Sequence, residues 1–168
     1  MEHFTITSMF LNRSVTTLHG LLSFNDLVTL FKCFNNVPLI SISDDQRTHL
    51  EFNPRWVGTV HHGIPRNMLP FTAKPSEGGT PYLAFLGRIT DVKRPEWAIE
   101  IAVRAGLPLK IAAKVDKVDL QYWLEQVKPL VDKHADLVEY IGEINDSEKG
   151  AFLGNALALL FPIDWYSN

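Results

Sequence analysis

Apolar residues recur along this chain at two spacings, and the switching between them predicts the elements. Stretches at 15–18, 38–42 and 56–60 have strand length and strand-forming residues. Between the first two, Leu27, Leu30, Phe31 and Phe34 fall at helical spacing, behind Ser23 as N-cap and with Asp26 at the third helical position. Ser43-Asp-Asp-Gln46 is an S-x-x-Q capping box opening a short second helix, and Pro54 marks the turn before residues 56–60. Further on the alternation becomes regular. A strand at 82–86 leads to a helix at 95–105 and a strand at 109–113. Leu120, Trp123, Leu124, Val127 and Val131 then trace one helical face, which Pro129 bends or ends. A strand at 138–141, a helix capped by Asn145-x-x-Glu148 and an apolar strand at 156–162 complete the series. Strands alternating with helices of these lengths predict an α/β fold with parallel sheets and right-handed crossovers.

One stretch breaks the pattern. Residues 65–81 carry prolines at 65, 70, 75 and 81 plus Gly78-Gly79, the punctuation of a linker. Two α/β pieces, 1–64 and 82–168, are therefore expected to meet through it. At 168 residues with 46% apolar and 21% charged positions, the chain has enough core to fold as a globular protein. A net charge of −3 gives no electrostatic case for nucleic acid as a partner. The single cysteine, Cys33, excludes an intrachain disulfide framework and fits a reducing cytoplasm. Its place near Phe31 and Phe34 predicts a buried thiol rather than a nucleophile. No apolar run reaches membrane-span length, and the first residues lack the basic and apolar regions of a secretory signal. A cytoplasmic location is expected, with peripheral attachment to a membrane left open.

The segment from Tyr82 to Ala102 holds the clearest chemistry. It reads as a buried strand, a Gly87-Arg88 turn and a helix entered near Pro95. That arrangement aims Arg88, Lys93 and the free N–H groups of a helix start at one point beyond the strand's carboxyl end. Ligands of open α/β sheets bind at that edge, and cations beside a helix N-terminus favour a phosphate or diphosphate. The competing reading is a plain β-turn-α connection with solvated charges. Arg94 is expected at the surface.

Gly87-Arg88-Ile-Thr-Asp-Val-Lys93-Arg94-Pro95 resembles the donor-phosphate loop of group 1 retaining glycosyltransferases, which have the two-domain GT-B fold. Thr16-Thr-Leu-His-Gly20, Ser41-Ile-Ser43, His61-His-Gly-Ile-Pro65, Tyr140-Ile-Gly-Glu143 and Ala158-Leu-Leu-Phe-Pro-Ile-Asp164 resemble the same family in the expected order. The resemblance implies a partial GT-B architecture of two incomplete Rossmann-like parts with parallel sheets. Residues 1–64 would be a remnant of the amino-terminal, acceptor-side domain, and 82–168 the first part of the nucleotide-sugar-binding domain. It further implies hexosyl transfer from a nucleotide-diphosphate sugar with retained configuration. The donor is a substrate, with no cofactor and no obligatory metal, and the acceptor is a sugar, lipid or small molecule.

By the same resemblance Gly87, Arg88 and Lys93 bind the donor diphosphate. His19, at the end of the first strand, faces the transferred sugar or the acceptor as the catalytic candidate. A strand-end histidine bonded to backbone is the other reading, and Gly20 permits the tight turn after it. Glu143 and Asp164 fall near the nucleotide, although a carboxylate at 143 also complements a helix dipole. His61 and His62 are adjacent and point to opposite faces of a strand, so they do not share one ion. Family members often carry asparagine where His62 stands.

The family's strongest signature, an E-x7-E segment that holds the sugar and ribose, is expected after Trp165, where the sequence reads Tyr166-Ser-Asn168. The amino-terminal β-α units are likewise short, and a whole enzyme of this class would be roughly twice as long, at about 150–200 residues per domain. The expectation is a chain with exposed sheet edges, low stability or self-association through those edges. Two alternatives to the transferase stand beside it: a non-catalytic nucleotide-binding or pairing module, and a nucleotide-sugar epimerase on the same fold.

Overall fold

The structure is a computed structural model, and it describes residues 3–20, 22, 25–48, 50, 52–66, 68 and 80–164. The chain divides into two compact units, Met1–Ile64 and Pro65–Asn168. Ser23, most of the predicted linker and Trp165 lie outside the described residues.

The first unit holds α1 (Phe4–Thr7), β1 (Thr16–Thr17), α2 (Asn25–Cys33), β2 (Leu39–Ser41), α3 (Asp45–Thr48) and β3 (Trp56–Thr59). Its three strands are all parallel, in the order β1-β2-β3. Phe4, Leu18, Leu22, Phe31, Val37 and Leu39 form the core, with Leu27, Leu30 and Phe34 of the predicted helical stripe packed against it. Helix α2 begins at Asn25, which makes Asp26 its second residue rather than its third. Cys33 is exposed, contrary to the buried thiol expected. At about 100° per residue it sits some 200° around the helix from buried Phe31, on the flank away from the apolar stripe.

The predicted capping box at Ser43 forms by half. Ser43 Oγ accepts from Gln46 N at 3.0 Å, but the Gln46 side chain passes over the backbone N–H of Ser43 itself. Its Oε1 accepts from Ile42 N at 2.9 Å, and its Nε2 donates to Leu18 O at 3.2 Å and Gly20 O at 2.8 Å. Buried Gln46 thus ties the chain leaving β1 to the entrance of α3.

The second unit holds β4 (Leu83–Arg88), a 3-10 turn (Asp91–Lys93), α4 (Pro95–Ala105), β5 (Leu109–Lys114), α5 (Leu120–Tyr122), a π turn (Trp123–Val127), α6 (Lys128–Lys133), β6 (Val138–Gly142), α7 (Asp146–Gly154) and β7 (Ala158–Leu159). The order β6-β5-β4-β7 is parallel throughout, with the direction of progression reversing at β4. Both faces are covered, as a parallel sheet requires. Leu83, Phe85, Leu109 and Ile111 pack under α4 and the π turn through Ile99, Ala102 and Val127, whereas Ala84 and Ala112 face Phe152 of α7.

Three differences from the predicted elements have local causes. Gly87 and Arg88 belong to β4, in register with Ala113 and Lys114, and are not a turn. Pro129 does not end the helical run: it stands in the first turn of α6, directly after the π turn, and the helix continues to Lys133. The extra residue rotates the face, leaving Leu120 and Leu124 exposed while Val127 is fully buried. Strand β7 is shorter than 156–162, since Pro162 has no N–H to give the ladder, and Leu157, Leu159 and Phe161 are exposed along it. Among the described residues no helix is long and apolar enough to cross a membrane.

Candidate functional site

Parallel strands deliver their carboxyl ends to one edge, and the second unit has a cavity of about 480 Å³ there. Strand β4 contributes Leu86, Gly87 and Arg88, strand β5 contributes Ala112, Ala113 and Lys114, and the 3-10 turn contributes Lys93. Glu143 and Ile144 follow β6, where Gly142 turns the chain at φ +78°, and Lys149 comes from α7. Four cations and one carboxylate therefore line the cavity among the described residues. Leu86, Ala112, Ala113 and Ile144 supply its apolar lining.

The cations are held close together. Register pairs Arg88 with Lys114 at the ends of adjacent strands. Asp116 separates their charge, 2.9 Å from Lys114 Nζ and 3.7 Å from Arg88 Nη1. The hydrogen bond from Lys114 holds the Asp116 carboxyl below the usual range, and the same bond raises the lysine. Lys93 is pushed down, first by burial and second by repulsion from Arg88. Its ammonium also lies 5.0 Å from the centre of the Phe161 ring. A lowered lysine beside an arginine marks positive potential that an anion would relieve.

The helix N-terminus expected at this point is displaced. No α4 residue lines the cavity, because the 3-10 turn and a left-handed Arg94 (φ 48°) intervene between β4 and Pro95. The nearer helix start is that of α7, whose first N–H groups are taken by the Asn145 side chain in a complete capping box with Glu148.

Arg94 is not the surface residue predicted. It is three-quarters buried, 3.0 Å from Asp164 and 3.4 Å from Glu96, with its guanidinium over the Trp97 ring. Glu96 also accepts from the Tyr122 hydroxyl, and burial and that carboxylate push the phenol far up. Asp164 thus meets Arg94 and is not among the residues lining the cavity, whereas Glu143 is. Burial, and after it the Glu143 carboxylate, raises Tyr140, and the same carboxylate adds to the effect of Asp116 on Lys114.

In the first unit, His19 is exposed just beyond β1, followed by Gly20 at φ +95°. Neither sequence reading anticipated its neighbour: His19 Nδ1 stands 3.4 Å from His62 Nε2. His61 turns instead to the residue just after β2, with Nδ1 3.1 Å from Ile42 O.

No protein-family model and no curated protein matches the chain. Solved structures do. The pneumococcal O-GlcNAc transferase GtfA, solved with UDP and GlcNAc, superposes over 94% of this chain and 34% of its own, with a TM-score of 0.59 at 14% identity. The fold is a glycosyltransferase fold. It is α/β with two parallel sheets, a partial GT-B architecture. AviGT4, a glycosyltransferase involved in avilamycin A biosynthesis, overlaps 73% of this chain and 34% of its own, at 21% identity and a TM-score of 0.47. The chain spans about a third of the length of either structure.

Against that fold, the residues that sequence reading missed are instructive. Lys114 stands one residue past the predicted strand at 109–113, and parallel register puts it beside Arg88 once β5 extends to include it. Lys149 follows the Asn145 cap by one helical turn, so it rises over the same edge. Asp116 carries no local signal.

Proposed function

We propose that the second unit binds the diphosphate of a nucleotide sugar, and that the chain serves hexosyl transfer from that donor with retained configuration. The observation that supports this best is the clustering of Arg88, Lys93 and Lys114 at one cavity beyond the carboxyl ends of β4 and β5. In the reaction the bond from the sugar's anomeric carbon to the diphosphate oxygen breaks, a bond from the acceptor oxygen to that carbon forms, and the acceptor hydroxyl's proton passes to the departing diphosphate. Negative charge grows on the departing diphosphate, and fixed cations stabilise it there. Arg88 offers two parallel N–H donors to phosphate oxygens, and Lys93 and Lys114 act as point charges. Glu143, which lines the same cavity, is assigned to the nucleotide, and His19 of the first unit is assigned to the acceptor. The UDP bound to the structurally similar pneumococcal transferase makes uracil the first base to try.

A second reading has its own observation. Glu143 is the lone carboxylate lining the cavity among the described residues, which suits a module that binds nucleoside diphosphate without turning over. Calorimetry with UDP, GDP and ADP, followed by product analysis with the matching hexose donors and an acceptor panel, separates the two. Binding with glycosidic product supports transfer, and binding without product supports the module. No binding of any nucleoside diphosphate overturns both.

A further inference from the structure

The first unit brings together two histidines 43 positions apart in the sequence. Both are exposed, one following β1 and the other following β3, the two outer strands of the parallel sheet. Their contact is a poor hydrogen bond: 3.4 Å between Nδ1 of His19 and Nε2 of His62 exceeds the usual range of about 2.7–3.2 Å. The ring centres are only 5.0 Å apart and the planes inclined by 33°. An in-line N–H···N contact of that length would add a ring radius at each end and hold the centres further apart. The rings are therefore bent off the nitrogen–nitrogen line, as two ligands of one ion must be.

The separation also has the right size. With metal–nitrogen bonds of about 2.0–2.1 Å, two nitrogens 3.4 Å apart subtend roughly 110° at the ion, close to the tetrahedral angle. We propose that His19 Nδ1 and His62 Nε2 chelate one divalent transition-metal cation. Imidazole pairs suit copper, zinc and nickel and discriminate against magnesium and calcium, whose ligands are oxygens. Among the described residues no group of three or more His, Cys, Asp or Glu side chains converges, so water or an incoming ligand completes the shell. His61, drawn to Ile42 O, stays out of it.

The test uses the full chain without an affinity tag, titrated calorimetrically with Cu²⁺ alone and separately with Zn²⁺ alone. One ion per chain is expected, Cu²⁺ bound the tighter, with affinity falling at least about tenfold in His19→Ala and in His62→Ala. His61→Ala and His134→Ala should bind as the parent does, and Mg²⁺ should give no heat. Because a variant can lose binding by misfolding, histidine ring ¹H–¹⁵N spectra of the parent provide a second readout. The signals of His19 and His62 should move together on adding Zn²⁺. Unchanged affinity in His62→Ala, equal loss in His61→Ala, or movement of other histidine rings alone would each overturn the site.

Discussion

Removing the guanidinium of Arg88 is the most direct perturbation of the proposed diphosphate site. In the free chain the side chain is 61% exposed and meets Asp116 at 3.7 Å, a loose surface pair worth about 0–1 kcal/mol. Hydrogen bonds from a charged donor to phosphate oxygens contribute about 1.5–3 kcal/mol net. Exchanging Asp116 for phosphate therefore leaves a gain of about 0.5–3 kcal/mol, and Arg88→Ala should weaken UDP binding by a factor of about 2 to 150. Arg88→Lys should recover only part of it, since a point charge replaces a two-pronged donor. Asp116→Asn should act in the opposite direction, freeing Arg88 and Lys114 together and tightening binding about twofold to fivefold. In the double variant that gain should shrink, because Lys114 alone remains to be freed. Calorimetry with UDP and with inorganic pyrophosphate, each at two salt concentrations, measures all four variants against the parent, and the Arg88 effect should diminish at the higher salt. Arg88 is exposed, so thermal unfolding should be unchanged and misfolding cannot account for the loss. Affinities of Arg88→Ala within twofold of the parent for both ligands would refute the assignment.

Other expectations follow from particular contacts. Burial, then Arg88, sets Lys93 below its ordinary 10.5. Between that lowered value and 10.5 it is neutral in the folded chain but protonated when unfolded. Its stability penalty is thus complete at neutral pH and relieved as pH rises through the window. A bound diphosphate favours the charged form, so UDP affinity measured against pH should fall across this alkaline window, and Lys93→Arg should abolish the fall. Gln46→Ala strands the Ile42 N–H and the Leu18 and Gly20 carbonyls, at a cost of about 2–3 kcal/mol. Thermal unfolding should register that as a drop of several degrees, and an unshifted transition would count against the clamp. Asn145→Ala removes the cap that satisfies Ser147 N and Glu148 N and should cost about 1 kcal/mol. Amide exchange should quicken in the first turn of α7 before anywhere else in that helix.

What the sequence determined by itself is whatever depends on neighbours a few positions apart. The strand and helix at 82–105, the Asn145–Glu148 box and the turn at Gly20 were legible because strand alternation, helical spacing, side-chain capping and backbone sterics act over that range. Arg88 and Lys93 reached the list of candidates by their place beyond a predicted strand's carboxyl end, Glu143 by the family resemblance alone, and the cavity gathers all three. Tertiary structure decided the rest. Register placed Lys114 beside Arg88, and packing drew Arg94 and Glu96 at the start of α4, Tyr122 and Asp164 into one network from three separate segments. Gln46 left its own cap to hold Leu18 and Gly20, and His62 turned to His19 rather than to its neighbour. None of these pairs has a spacing that local rules can read. They exist because parallel strands carry residues distant in sequence to the same edge, and which side chains meet there is settled only when the layers pack.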